Sequence, residues 1–243
     1  MTFEHASNDH VKRKVADGVC EIRLDDPDRL NCFSVELAKD LHEITQYIDD
    51  REDVFAVVIT GEGKAFSSGF DTELILGEGS TDEIFEYARP ALNWLINSQI
   101  PVVAGGRNYA VGGGASLLTY VPDLSYINAD MEIWWPEVDY GGLPRQVVSY
   151  LYPDIGYKRA LEMVLLGEDG KMDATEAKHS GLVNDIVESA TVDEKARQTA
   201  QSLADLEAEY GHTTDLMDVM HRMRRERIGN SLNYIDWKRA QEE

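Results

Sequence analysis

Three stretches of this chain carry residue types and spacings that could do chemistry. The first is Ala104-Gly105-Gly106-Arg107-Asn108-Tyr109-Ala110-Val111-Gly112-Gly113-Gly114-Ala115-Ser116. It leaves one apolar run, Pro101 to Ala104, and enters another, Ala115 to Tyr120, so its three consecutive glycines fall at a strand-to-helix junction. Glycine there permits a positive φ and lets a ligand approach the backbone closely. The free N–H groups at a helix start carry partial positive charge. Such a turn can hold an oxyanion; the same residues also make a tight turn that holds nothing. The second stretch, Lys64-Ala65-Phe66-Ser67-Ser68-Gly69-Phe70-Asp71, lies just after the apolar run Ala56 to Gly61. The third is Pro136-Glu137, preceded by Trp134 and Trp135. A carboxylate beside apolar surface has a raised pKa and can work as a base near neutrality. Taken alone, it is equally one more surface charge in an acidic chain.

The elements that must position these residues alternate between strand and helix. Lys12 to Val15 and Val19 to Leu24 flank Asp17-Gly18, a hairpin signal. Ser34 is placed to cap a helix whose Leu37, Leu41, Ile44 and Ile48 recur at helical spacing. A strand over 54–60, a helix from about Asp82 to Ser98 and a strand opening at Pro101 follow. Beyond the glycines the pattern predicts a helix over 115–120, strands at 124–127 and 132–135, a loop from Glu137 to Pro144, and helices near 145–151 and 156–166. Ala174 to Ser180 reads as a helix stopped by Gly181, and the chain is helical from Val192. Repeated strand-glycine-helix units imply an α/β fold, with a core over 1–190 and a helical region over 191–243.

Together the three stretches resemble the crotonase superfamily, the enoyl-CoA hydratase/isomerase family, over about Val15 to Val187. The resemblance implies a spiral of ββα units and a C-terminal helical region that packs against neighbours in trimers or hexamers. It implies an acyl-CoA thioester as substrate, with no other cofactor. The enolate formed beside the thioester would be held by two backbone N–H groups, those of Ser68 and Gly113. Phe66, Ser68, Gly69, Phe70, Asp71 and Gly113 would line the coenzyme A arm, with Asp71 near the adenine end and Arg29 at the phosphates. Asp71 also reads as a helix N-cap, and Arg29 as a solvated charge. Glu137 would be the catalytic acid/base.

The chain departs from the hydratase pattern in two places. Ser116 stands where hydratases carry a second glutamate, and Leu143-Pro144-Arg145-Gln146-Val147 replaces a glycine-rich segment. Dienoyl-CoA isomerases would need aspartates at Ser116 and Arg145. One obvious carboxylate remains, which suits an isomerase that moves a 3-enoyl double bond to the 2-position in fatty-acid breakdown. Hydration, decarboxylation, thioester hydrolysis and simple acyl-CoA binding stay open. Asp139, two residues from Glu137, would point to the opposite face of an extended loop. Trp134, Trp135 and Tyr140 read as acyl-pocket walls or as core, and the basic stretch from His221 to Arg227 as a trimer contact or an exposed helix.

The 243 residues suffice for a sizeable core, and 43% hydrophobic content is ordinary for a soluble chain. No apolar run approaches a membrane span, and Met1 to Lys14 lacks a signal-peptide core. Cys20 and Cys32 have no metal-ligand spacing, so a reducing cytoplasm is the expected location. The formal charge of −22, from 45 acidic and 23 basic side chains, argues against nucleic acid or an anionic membrane as partner. The acids are spread along the chain, a pattern that suits a high-salt cytoplasm where ions screen repulsion. Thermal melts should therefore move upward from low to molar salt; a flat or downward response overturns the halophilic reading.

Overall fold

The computed structural model describes residues 2–73, 82–142, 144–210, 220 and 223–224. In chain order the elements are β1 (Glu4–His5), β2 (Val11–Ala16), β3 (Val19–Leu24), α1 (Val35–Asp49), β4 (Ala56–Gly61), α2 (Asp82–Asn97), β5 (Val102–Gly106), β6 (Tyr109–Val111), α3 (Gly113–Thr119), β7 (Leu124–Asn128) and β8 (Glu132–Trp134). There follow α4 (Arg145–Ile155), α5 (Tyr157–Leu166), β9 (Met172–Asp173), α6 (Ala174–Ser180), β10 (Asp185–Val187) and α7 (Val192–Tyr210). The basic stretch from His221 to Arg227 lies mostly outside the described residues, as does the rest of the 191–243 region beyond Tyr210 apart from residues 220 and 223–224.

Seven strands form one sheet in the order β1-β2-β3-β4-β5-β7-β10, and β6-β8-β9 form a second. The β1-β2-β3 edge is antiparallel, turning at Asp17-Gly18 with Val15 opposite Cys20. From β3 through β10 the pairing is parallel. Parallel strands have helices on both faces and so read as unbroken apolar runs; every residue of β4 and of β5 is buried. Alternation decides which helix each residue meets. Cys20, Ile22, Leu24, Val57, Ile59, Val102 and Ala104 face the main core with α1 and α2. Val19, Ala56, Val58 and Val103 face the opposite side, where Ala196, Ala200 and Ala204 of α7 pack on them. Alanine every four residues gives α7 a flat stripe on which the sheet can sit.

The helix signals act as the sequence indicates. Ser34 accepts a hydrogen bond from the Leu37 N–H at 3.1 Å, and the four apolar residues of α1 are fully buried. Gly181 closes α6 in the left-handed conformation. The region expected as loop after Pro136 is instead a 3-10 turn, Glu137–Tyr140. Residues 109–111, expected to belong to the glycine turn, form β6.

Asp40 ties the N-terminal segment to α1. It is fully buried, and its carboxylate accepts from the N–H groups of Asn8 and His10 at 2.8 Å, of Val11 at 3.2 Å and from the Asn8 side-chain amide at 2.8 Å. Removing it strands one buried and three partly buried donors, and an unsatisfied buried donor costs on the order of 1–3 kcal/mol. Asp40→Ala should lower the denaturant midpoint by an amount equivalent to ~3 kcal/mol, and Asp40→Asn by less; equal midpoints for wild type and Asp40→Ala overturn this.

Candidate active site

The site forms where the Phe66–Asp71 segment meets the start of α3. This segment bonds to neighbours on alternate sides. On one side, Phe66 donates to the Arg107 and Tyr109 carbonyls at 3.1 and 3.0 Å, and Val111 donates to the Ser67 carbonyl at 3.0 Å. On the other, Ser68 donates to the Leu30 carbonyl at 2.9 Å, Phe33 to that of Gly69 at 2.7 Å, and Asp71 to that of Phe33 at 3.1 Å. The Gly69 N–H turns back to Ser67 Oγ at 3.2 Å.

This accounting corrects one expectation. The Ser68 N–H, expected to face an oxyanion, is spent on Leu30. The Phe70 N–H has no acceptor among the described residues. Phe70 is bridged to Phe33 through the flanking Gly69 and Asp71 groups, so its own N–H points away from residue 33, toward the α3 side. The Gly113 N–H, at the first turn of α3, likewise has no acceptor among the described residues. The open pair is therefore Phe70 and Gly113.

Two features of the glycine turn make this meeting possible. Gly112 has φ 51° and ψ −117°, a conformation for glycine, and its N–H is fixed by the Trp134 carbonyl at 2.9 Å. A Cβ on Gly113 would stand 2.6 Å from the Phe70 ring, and one on Gly114 2.6 Å from the Ser67 carbonyl oxygen. The two backbones thus touch with nothing between them.

Glu137 lies across from this pair. Its Oε1 is 3.6 Å from where a Gly112 Cβ would stand, while its Oε2 is buried with no hydrogen-bond partner. Burial pushes the carboxyl pKa up, and the nearby Asp139 carboxylate adds to it, against a hydrogen bond from its own backbone that lowers it. Asp139 itself faces away, as expected, but because of the 3-10 turn: it accepts from the Glu168 N–H at 3.0 Å and lies against the bare Cα of Gly167. It thereby moors the turn that carries Glu137.

Ser116 occupies the next turn of α3 above Gly112. Its Oγ lies 2.5 Å from the Tyr150 hydroxyl, accepts from Trp135 Nε1 at 3.2 Å and donates to the Gly112 carbonyl at 3.3 Å. Burial raises the Tyr150 pKa strongly, the Ser116 hydrogen bond opposes this, and the Glu137 charge adds to it. Tyr150 is the participant that sequence reasoning missed, since an aromatic residue on the inner face of α4 looks like any core residue. Trp135 is fully buried, Trp134 packs edge-on against Tyr109 at 6.2 Å, and Tyr140 is half-exposed.

The remaining expected residues divide. Phe66 is a fully buried core side chain, which corrects its assignment as a ligand contact. Arg29 and Asp71 come together: the guanidinium bonds the carboxylate at 2.5 Å, and Asp71 also accepts from the Glu73 N–H at 3.0 Å, as an N-cap would. Arg29 is therefore paired with a carboxylate, although it remains 45% exposed as a side chain. Cys20 and Cys32 are both free and buried. Among the described residues, no group of His, Cys, Asp and Glu could hold a metal ion, and no helix is long and apolar enough to cross a membrane.

Comparisons with known proteins identify the family and the fold. Residues 14–234 match the family model described as enoyl-CoA hydratase/isomerase. A Mycobacterium bovis protein described as a probable enoyl-CoA hydratase is 31% identical over 195 residues, covering 77% of this chain and 72% of its own. An Arthrobacter 4-chlorobenzoyl coenzyme A dehalogenase is 30% identical over 207 residues, covering 82% of this chain and 73% of its own. Among solved structures, a Silicibacter pomeroyi enoyl-CoA hydratase/isomerase family protein superposes with a TM-score of 0.76 at 23% identity, covering 88% of this chain and 89% of that one. An enoyl-CoA hydratase from Mycobacterium marinum gives 0.74 at 24% identity, covering 89% and 99%. A sequence matched over most of its length, on a fold shared with these proteins, places the chain in the enoyl-CoA hydratase/isomerase family of acyl-CoA enzymes.

Proposed function

We propose that this enzyme shifts the double bond of a 3-enoyl-CoA to the 2-position, using Glu137 as its single acid/base. The observation that carries the reading is the pairing of a buried Glu137, one oxygen unpartnered, with a neutral Ser116-Tyr150-Trp135 cluster where a second carboxylate would stand. The Glu137 carboxylate takes a proton from C2. The electron pair moves into the carbonyl, and the dienolate oxygen is held by the Phe70 and Gly113 N–H groups. One such donor is typically worth ~3 kcal/mol in the transition state. The protonated Glu137 then returns the proton at C4, and the double bond lies between C2 and C3. No metal or redox group enters this sequence; the coenzyme A thioester is the substrate.

Hydration asks for more. A water must be activated at C3 while C2 is protonated, and two carboxylates divide that work. Here the second position holds hydroxyls and an indole N–H bonded to one another, and Tyr150 is pushed away from ionising near neutrality. The name of the mycobacterial relative favours hydration as the second reading.

The enzyme should isomerise 3-enoyl-CoA faster than it hydrates 2-enoyl-CoA. Glu137→Gln should cut isomerisation on the order of a hundredfold or more while saturated acyl-CoA still binds. Because the base form is needed and its pKa is raised, the wild-type rate should fall as pH drops through a midpoint above the ordinary 4.5, and Glu137→Gln should lack that limb. Faster hydration by wild type overturns the reaction; full activity in Glu137→Gln overturns the base; binding without turnover on either substrate points to an acyl-CoA carrier.

We also propose a cytoplasmic homotrimer or dimer of trimers, supported by the long C-terminal helical pattern and the family. Light scattering in molar salt should return three or six protomers; monomer alone at micromolar concentration overturns this.

A further inference from the structure

We propose that Tyr150 is a specificity-determining residue that stops the acyl chain and restricts the enzyme to short-chain thioesters. Gly112, Ser116 and Tyr120 succeed one another at four-residue intervals on one face of α3. An acyl group whose carbonyl oxygen sits at the Gly113 N–H and whose C2 faces Glu137 starts at the foot of that face. Ser116, half-buried, is the next level up. There Tyr150 crosses it. The Tyr150 hydroxyl closes on Ser116 Oγ at 2.5 Å, and its ring lies flat on Tyr120, centroids 3.9 Å apart and planes 17° apart. Trp135 meets the same ring from the side at 6.5 Å. Trp135 is fully buried and Tyr150 is 4% exposed, so this wall is packed from behind and has nowhere to retreat. On the opposite flank, among the described residues, the Phe70 ring covers Gly113 and packs on Phe33 at 5.2 Å and Phe85 at 5.1 Å.

Gly113 and Ser116 are three residues apart on α3, a rise of about 4.5 Å, so the Tyr150 hydroxyl at Ser116 stands beside the first carbons of an acyl group and in the way of a longer one. A longer chain must displace the Tyr120-Tyr150 stack and break the Ser116 hydrogen bond. The inference rests on the acyl-thioester reading of the site, not on which reaction follows.

The test therefore measures binding as well as turnover. Calorimetric titration of wild type with butyryl-CoA and decanoyl-CoA should show the shorter thioester bound at least tenfold more tightly. Tyr150→Ala should shift that ratio at least tenfold toward decanoyl-CoA. Tyr150→Phe, which keeps the ring and loses the hydroxyl, should retain the wild-type ratio. Should Tyr150→Ala not fold, Tyr150→Leu gives the same comparison with a side chain that stops short of Ser116. In turnover, the KM for 3-decenoyl-CoA should fall relative to that for 3-butenoyl-CoA in the shortened variants. Equal or tighter decanoyl-CoA binding by wild type, or an unchanged ratio in the shortened variants, overturns the proposal. If the isomerase reading alone is wrong, turnover is lost but the binding ratio stands. If neither thioester binds, both readings fall.

Discussion

The structure depends on one contact between backbones. Ser67 and Gly114 meet with no room for a side chain on the glycine, and Gly113 accepts the Phe70 ring on the same terms. That contact brings the start of the crossover after β4 against the early part of the crossover after β5. Parallel pairing of β4 and β5 delivers both segments to the same edge of the sheet. The bonding of residues 66–71 to alternating neighbours then leaves the Phe70 N–H over, and the first turn of α3 leaves that of Gly113. Both donors are backbone groups, so no side chain has to be recruited to make them.

The carboxylate facing them is held against its own preference. Each unit by which burial raises its pKa corresponds to about 1.4 kcal/mol favouring the neutral form. What keeps Glu137 in place is its frame: Pro136 entering the 3-10 turn, the Gly142 N–H on its carbonyl at 2.8 Å, and Asp139 moored to the Gly167-Glu168 backbone. A local cost carried by surrounding structure is common where a group must act rather than merely fit. The Ser116-Tyr150-Trp135 cluster is the reverse case, polar atoms inside the protein that satisfy one another.

The sequence was legible wherever local chemistry decides. The Asp17-Gly18 hairpin, the Ser34 cap, the α1 stripe and the Gly181 stop each depend on residues within a few positions. The three candidate stretches lie near one another, with Gly114 against Ser67 and the Glu137 carboxyl beside Gly112. What the sequence did not reveal depends on partners far along the chain. Whether the N–H of residue 68 or of residue 70 stays free is set by which side residues 30–33 occupy, and nothing within 66–71 encodes that. Phe66 and Phe70 look alike in sequence; only pairing buries one and sets the other over Gly113. Arg29 and Asp71 are 42 residues apart, and each was read alone when each is the other's partner. Tyr150 reaches Ser116 across 34 residues. The short strands β6 and β9 escape any periodicity because they are three and two residues long.

The ion pairs carry a consequence for encounter with substrate. Many cations of the described surface are already engaged: Arg107 holds Asp193 in a two-pronged pair, Arg23 joins that aspartate to Glu62, and Lys12 links Glu62 to Asp25. Arg29 is held by Asp71. A molecule with a net charge of −22 repels a polyanion such as an acyl-coenzyme A at long range. Association is thus a counter-steered process that speeds up as ionic strength rises, the reverse of the usual salt dependence for a protein and an oppositely charged ligand.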